Sequence, residues 1–196
     1  PVQEKYGIVF AFLGSLSEEE RPPLLEIEEY EQEGWRTNKI LTFEVGCNFE
    51  RSIENGLDPA HNEFVHPYQG FTGINRDTYK VNEMVSEDHN QGWGFWFMHT
   101  FDAQSLSESD DPTSKGTTSW GDSRPEQSNV QAGGGTHGPN ILITHIRITP
   151  EIGFRQYFFE APIDENRTKI FFVNNRNFLL DPDMDESIYG RSFVIA

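Results

Sequence analysis

Apolar side chains recur along this chain in two periods, which predict a sheet of several strands and one main helix. Alternating or continuous apolar runs, typical of strands, cover residues 5–13, 35–45, 78–86, 92–101, 141–149, 153–161 and 167–178. Between residues 48 and 65 the pattern becomes helical, because Phe49, Ile53 and Leu57 are spaced four apart along one face. Pro59 is expected to break or kink this helix, or to begin a second one, since it lacks a backbone donor.

The stretch 103–139 has neither period and is rich in Ser, Asp, Gly and Thr. A segment this long is either functional or disordered, and we interpret its three consecutive glycines at 133–135 as flexibility near the mouth of a pocket. Turn residues separate the last three strands, which are therefore expected to be antiparallel neighbours. A short helix is predicted after Pro182. The complete pattern favours an α+β domain with a curved antiparallel sheet.

Composition and charge restrict the partners of such a domain. The net charge of −17 would repel a phosphate backbone, so nucleic acid is not expected as a partner. Aromatic residues make up 13% of the chain, which favours a pocket or a sheet face built of rings. No apolar run approaches about eighteen residues, so no membrane-spanning helix is expected. The single cysteine, Cys47, excludes an internal disulfide and fits a reducing, cytoplasmic compartment.

Four side chains between residues 55 and 66 suggest a metal site: Asn55, Asp58, His61 and His66. Iron(II) oxygenases hold their metal with two histidines and one carboxylate, which leaves other positions open. His61 and His66 would point about 140° apart on an ideal helix, so they can share a metal only if the helix ends or bends between them. Asp58 lies three residues before His61 and could orient its imidazole.

A simpler interpretation of the same segment needs no metal. His61 and His66 would be partly buried histidines at a helix end, and Asp58 would be the N-cap before Pro59. The spacing of the two histidines is common by chance, and it does not select iron over zinc.

Three further side chains on predicted strands are candidates for a substrate pocket. His99 shares a strand face with several aromatic residues, and His145 shares one with Ile141 and Ile143. Phe158 could contribute ring contacts to the same pocket. Each of the three could equally be a packed core residue.

The segment from Glu54 to His66 resembles the iron-binding segment of Rieske non-haem iron oxygenases, with the pattern E-N-x-x-D-x-x-H-x(4)-H. It is most similar to the demethylase-type monooxygenases, where N-x-x-D-P-x-H is followed by an aromatic residue, Val and His. The strand before Gly14, the acidic linker with two prolines and the segment 176–185 also resemble parts of that family. The resemblance therefore extends over nearly the whole chain.

This resemblance implies a function for each residue of the segment. His61 and His66 would bind Fe(II), with Asn55 close to the iron. Asp58 would carry an electron from the Rieske cluster of a neighbouring subunit in a homotrimer. The implied fold is the helix-grip (START/Bet v1-like) type, with a curved antiparallel sheet and helices. Electrons would come from NAD(P)H through a separate reductase or ferredoxin, and dioxygen would be the co-substrate.

Two parts of the family pattern are not found in this chain. A 2Fe–2S Rieske cluster needs two cysteines and two histidines, so we expect it in a domain before Pro1. The third iron ligand, a carboxylate, is expected beyond Ala196, so that the chain is truncated before the C-terminal helix. We interpret Asp181, Asp183 and Asp185 as acids at a helix start, and Arg176 could pair with one of these acids.

The sequence thus predicts a remnant of a Rieske domain at 1–14, a linker at 15–34 and a catalytic iron domain at 35–196. The expected enzyme is an oxygenase that hydroxylates or demethylates an aromatic or ring-like apolar substrate, and monooxygenation fits the resemblance better than ring dihydroxylation. The chain alone is expected to be inactive. The alternative is a metal-free helix-grip module that binds an apolar small ligand.

Overall fold

The computed structural model describes residues 1–61, 84–89, 92–101, 130–147, 150–186 and 188. Within these ranges the chain forms one main α-helix, α1 (Phe49–Leu57), short 3-10 turns at Glu18–Glu20 and Pro182–Met184, and two antiparallel sheets. The strands are β1 (Val2–Lys5), β2 (Ile8–Ala11), β3 (Arg36–Thr37), β4 (Leu41–Val45), β5 (Glu87–His89), β6 (Gly94–Phe101), β7 (Val130–His137), β8 (Ile141–Arg147), β9 (Gly153–Asp164) and β10 (Arg167–Arg176). The predicted α+β class with an antiparallel sheet is confirmed.

The larger sheet has the order β3-β10-β9-β8-β7-β6-β5, and β4 also pairs with β10. Its two surfaces have different coverings. The helix face lies against α1, where the helix packs on β7, β8 and β9. The linker face carries Ile143, Tyr157 and Val173 and lies against the β1–β2 hairpin and the linker residues Leu25 and Ile27. Both faces are therefore buried in the centre of the sheet.

Helix α1 begins and ends where its sequence provides the signals. The side chain of Asn48 accepts a hydrogen bond from the backbone of Glu50 and so caps the first turn. Ile53 is buried against the sheet. Asp58 leaves the helical region, with φ −80° and ψ 102°, because a residue before proline is pushed towards extended conformations. Residues 59–61 are helical again, so Pro59 begins a second helical segment, as one of the predicted alternatives required.

The predicted strand at 5–13 is wrong in its boundaries, since the chain reverses inside it. Tyr6 and Gly7 both have positive φ, at 58° and 71°, and join β1 to β2 in a tight hairpin. A two-residue hairpin turn of this kind requires positive φ at both of its residues. Tyr6 is an unusual residue for this conformation, which is why the apolar run read as one continuous strand.

The prediction that the glycines at 133–135 lie in a flexible loop is wrong. They form the middle of β7, between β6 and β8. The ring of Trp96 on β6 occupies the space above Gly133 and Gly135, where an added Cβ would lie 2.8 and 2.7 Å from ring atoms. Close packing therefore requires glycine here. Residues 102–129 of the predicted loop lie outside the described ranges.

The remaining predicted elements have mixed outcomes. The strand at 92–101 and the three at the end of the chain are confirmed by β6, β8, β9 and β10. Residues 84–86 are not a strand, and the rest of the strand predicted at 78–86 lies outside the described residues. The short helix predicted after Pro182 is present, since Pro182–Met184 form a 3-10 turn and residues 185, 186 and 188 are helical. No helix in the described part of the chain has both the length and the apolar character needed to cross a membrane.

Candidate metal centre and pocket

The end of α1 brings together three of the predicted site residues. The backbone oxygen of Asn55 accepts a hydrogen bond from the backbone N–H of Asp58 at 3.4 Å. The Asp58 carboxylate is exposed, and its Oδ1 accepts from the backbone N–H of Ala60 at 2.9 Å. The backbone N–H of His61 donates to the Asp58 carbonyl at 3.3 Å. Asp58 therefore lies at the junction between α1 and the helical segment 59–61, which ends the described range at His61.

The His61 imidazole is oriented by the main chain. Its Nδ1 lies in hydrogen-bonding contact with the backbone oxygen of Asp58. A carbonyl can only accept, so this contact requires the proton on Nδ1, and in the neutral ring the lone pair then lies on Nε2, one of the two nitrogens through which histidine binds metals. Asp58 thus orients the ring through its carbonyl, whereas the sequence suggested its carboxylate.

His66, the second predicted ligand, lies outside the described residues, as does the chain between it and His61. Across the ranges that are described, no three side chains of His, Cys, Asp or Glu are grouped so that they could hold a metal ion. The donor chemistry of His61 fits one ligand of an iron site.

Helix α1 is held close to the sheet by small residues and by one polar contact. An added Cβ on Gly56 would collide with the side chain of Leu142 on β8. Leu57 lies over Gly134 on β7, where a Cβ would be 3.3 Å from its Cδ2. Ser52 donates to the carboxylate of Glu160 on β9 at 2.9 Å. The position of His61 relative to the sheet therefore depends on these contacts.

The three predicted pocket residues do not share one face of the sheet. His99 is buried and lies on the helix face, two residues from Phe97, whose ring contacts the space above Gly134. Phe158 also lies on the helix face and packs against Phe172, with ring centroids 4.6 Å apart. His145 lies on the linker face, where its ring meets Trp96 edge to face at 4.6 Å. The structure therefore places His99 and Phe158 on the side of α1 and His145 on the opposite side.

Three ionic groups, two of them buried and one partly buried, were not predicted as important. Glu160 is fully buried, and burial raises its pKa to about 7. Glu29, in the linker, is buried against Tyr157 and Arg155 on β9. The third group is a cluster of Arg36, Arg176 and Asp185, in which the hydrogen bond from Arg36 lowers the pKa of Asp185 to about 2.

The sequence gives only a partial signal for these groups. A pairing of Arg176 with a following acid is the one contact that its position suggested. Glu29 could not be recognised, because it lies in an acidic segment. Glu160 had an available signal, since it is a single acid between Phe159 and Ala161 in an apolar stretch of a predicted strand.

Comparison with known proteins supports the resemblance noted in the sequence. The family model of the vanillate O-demethylase oxygenase C-terminal domain matches residues 45–192. A comparison with curated proteins gives no match.

Several solved structures share the fold. Dicamba monooxygenase bound to dicamba is 17% identical, with a TM-score of 0.63 over 96% of this chain and 53% of that one. NdmA of Pseudomonas putida CBB5 with caffeine is 16% identical, with a TM-score of 0.66 over 99% of this chain and 50% of that one. Dicamba monooxygenase with non-heme iron and dicamba is 17% identical, with a TM-score of 0.62 over 95% and 51%.

The chain spans about half the length of these solved structures. At this level of identity the structures establish the fold, and the family model establishes the family. The chain belongs to the vanillate O-demethylase oxygenase C-terminal domain family.

Proposed function

We propose that this chain is the catalytic domain of a Rieske-type oxygenase that hydroxylates or demethylates an aromatic or ring-like apolar substrate. In this proposal His61 and His66 bind mononuclear iron(II), and a carboxylate beyond Ala196 is the third ligand. The observation that carries the proposal is the His61 ring, which the Asp58 carbonyl holds in the tautomer that can bind a metal through Nε2. The family match over residues 45–192 supports the same site.

The related structures support the choice of metal and substrate class. One dicamba monooxygenase structure contains non-heme iron, and the NdmA structure contains caffeine. Dicamba and caffeine are both small and ring-like, which is the substrate class we propose for this chain. Bound iron would supply the activation of dioxygen, while the protein would orient the substrate and exclude water.

The described residues would have separate tasks in such an enzyme. His61 would hold the metal from the end of α1. Asp58, whose carboxylate is exposed, would receive an electron from a Rieske 2Fe–2S cluster in a neighbouring subunit of a homotrimer. Asn55 would lie near the iron, and His99 and Phe158 would line the pocket on the helix face. NAD(P)H would supply the electrons through a reductase or ferredoxin in the cytoplasm.

The test is a measurement of iron in the full-length protein that contains this chain. We expect about one mononuclear iron per subunit in addition to the cluster, and we expect His61→Ala to lose it, because a metal site without one protein ligand binds far more weakly. The iron is counted by metal analysis, and the fold is checked by thermal unfolding.

His145→Ala provides the matched control, because His145 lies on the opposite face of the sheet. It is expected to retain its iron. Full iron content in His61→Ala would contradict the proposed site. A wild-type protein that takes up no iron but binds a ring-like ligand would instead support the metal-free binding module.

A further inference from the structure

Glu160 is the most deeply buried acid on the helix face of the sheet. Its exposed fraction is 0%, and it lies on β9 beneath the first half of α1. Its Oε1 accepts a hydrogen bond from the Ser52 hydroxyl at 2.9 Å. Its Oε2 is buried and has no hydrogen-bond partner among the described residues. One hydroxyl is therefore the only described group that solvates this carboxyl.

No described cation compensates a negative charge at this position. The charged residues of α1 are Glu50, Arg51 and Glu54, which are exposed, and Arg51 pairs with Glu54. The partner of Glu160 on β10 is the apolar Ile170, and on the β8 side the neighbour is Asn140, which bonds to its backbone. The Cys47 carbonyl before α1 already accepts from Thr168. Among the described residues, an ionised Glu160 carboxylate would therefore have one hydrogen bond and no countercharge.

The physical consequence concerns the interface between α1 and the sheet. Ile53 is buried there, and Gly56 contacts Leu142 without space for a methyl group. Water reaches Glu160 only if α1 moves away from β9. A buried carboxylate without a countercharge favours such a movement, because hydration outside the interface stabilises the charge.

We propose that Glu160 is a positioning residue, which holds α1 against the sheet as the neutral acid and releases it more readily once ionised. Since α1 leads directly into Asp58 and His61, this device would also set the position of the metal ligand, and that part alone rests on the proposed function. The docking of α1 itself does not depend on iron.

The direction of the pH dependence follows from the difference between the pKa of Glu160 with α1 docked and its pKa with α1 detached. Burial raises the pKa of Glu160 from 4.5 to about 7, while the Ser52 hydrogen bond acts in the opposite direction. With α1 detached, the exposed carboxyl would ionise at its ordinary pKa. The stabilisation of the docked helix is therefore complete below pH 4.5 and is lost progressively as the pH rises to about 7.

Hydrogen exchange of the α1 amides tests this inference on the complete chain. We expect the protection of residues 49–57 in the wild type, relative to Glu160→Gln at the same pH, to fall by roughly fortyfold between about pH 5 and about pH 7. The neutral glutamine should show no such loss, since it can accept from Ser52 but cannot ionise. Glu44→Gln, at an exposed position of β4, should behave like the wild type. Equal pH profiles for the wild type and Glu160→Gln would overturn the inference.

A second measurement needs no substitution at Glu160. Carbon-13 labelling of the glutamate carboxyls allows each to be titrated by NMR, and we expect one to titrate far above the exposed glutamates. Ser52→Ala should raise that midpoint further, because the hydrogen bond from Ser52 favours the ionised form. If every glutamate titrates near its ordinary value, or if Ser52→Ala shifts none of them, the inference is wrong.

Discussion

Asp58 takes part in the site through two different groups. Its carbonyl accepts from His61, whereas its Oδ1 accepts from the backbone N–H of Ala60 at 2.9 Å. A change to the side chain therefore leaves the group that orients the imidazole in place. The hydrogen bond to Ala60 uses only one carboxylate oxygen, and an asparagine could make the same bond.

This separation makes Asp58→Asn a sharp test of the proposed electron transfer. We expect the full-length variant to bind iron like the wild type. Its rate of dioxygen uptake should fall by roughly a hundredfold, because the negative charge is lost while the hydrogen bond to the Ala60 N–H remains. Iron is counted by metal analysis and uptake is followed with an oxygen electrode. Asp58→Ala would also lose the hydrogen bond to the Ala60 N–H, which should cost about 1 kcal/mol of folding stability. Normal uptake in Asp58→Asn would remove Asp58 from the electron path.

At the scale of single residues, the sequence predicts those that belong to a local motif. Asp58 and His61 are three positions apart, and in the structure the Asp58 carbonyl contacts the His61 ring. His145 shows the limit of such reasoning. Both faces of the sheet are covered, so an apolar strand pattern cannot tell which face lies towards α1.

At the scale of elements, β7 shows how a strand can lack its usual pattern. Its three central glycines have no side chains to alternate, so the segment resembles a loop in the sequence. The reason for the glycines lies on the neighbouring strand, where Trp96 covers Gly133 and Gly135 and Phe97 covers Gly134. By contrast, β8, β9 and β10 were predictable, since apolar residues and turn signals mark each of them.

A pair of glycine substitutions tests this interpretation of β7. Gly135→Ala should lower the free energy of unfolding by about 1–3 kcal/mol, because the new Cβ would collide with the Phe95 carbonyl oxygen and lie 2.7 Å from the Trp96 ring. Gly46→Ala is the matched control, because nothing lies within 4 Å of its Cβ position, and it should change stability by no more than about 0.5 kcal/mol. Denaturant unfolding measures both. Equal effects of the two substitutions would show that β7 is not tightly packed.

At the scale of the whole molecule, ionic groups connect parts of the chain that are distant in sequence. Arg176 is fully buried and donates to Asp185 at 2.5 Å, and Arg36 on β3 pairs with the same carboxylate. This cluster of Arg36, Arg176 and Asp185 joins β3 and β10 to the turn that begins at Pro182. The pairing of Arg36 with Asp185 has no signal in a single sequence, since these two residues are 149 positions apart.

This cluster should make the free energy of unfolding depend on pH in the acidic range. The hydrogen bond from Arg36 lowers the pKa of Asp185 from 3.8 to about 2, so its stabilisation is present above pH 3.8 and is lost as the pH falls through about 2. Asp185→Asn should therefore cost roughly 2 kcal/mol at neutral pH, and the difference should shrink in acid. Asp183→Asn, at an exposed neighbouring position, should have little effect. Denaturant unfolding at several pH values measures both, and a cost of Asp185→Asn that persists unchanged in acid would contradict an ionic origin.

Strand β9 has neighbours on both sides of the sheet that depend on its register. Tyr157 donates to Glu29 of the linker at 2.7 Å on one side, while Glu160 accepts from Ser52 on the other. One inserted or deleted residue between them would turn one of these side chains to the wrong layer, because successive residues of a strand point in opposite directions. Substitutions between Tyr157 and Glu160 are therefore compatible with both contacts. An insertion or deletion there would separate β9 from either the linker or the helix.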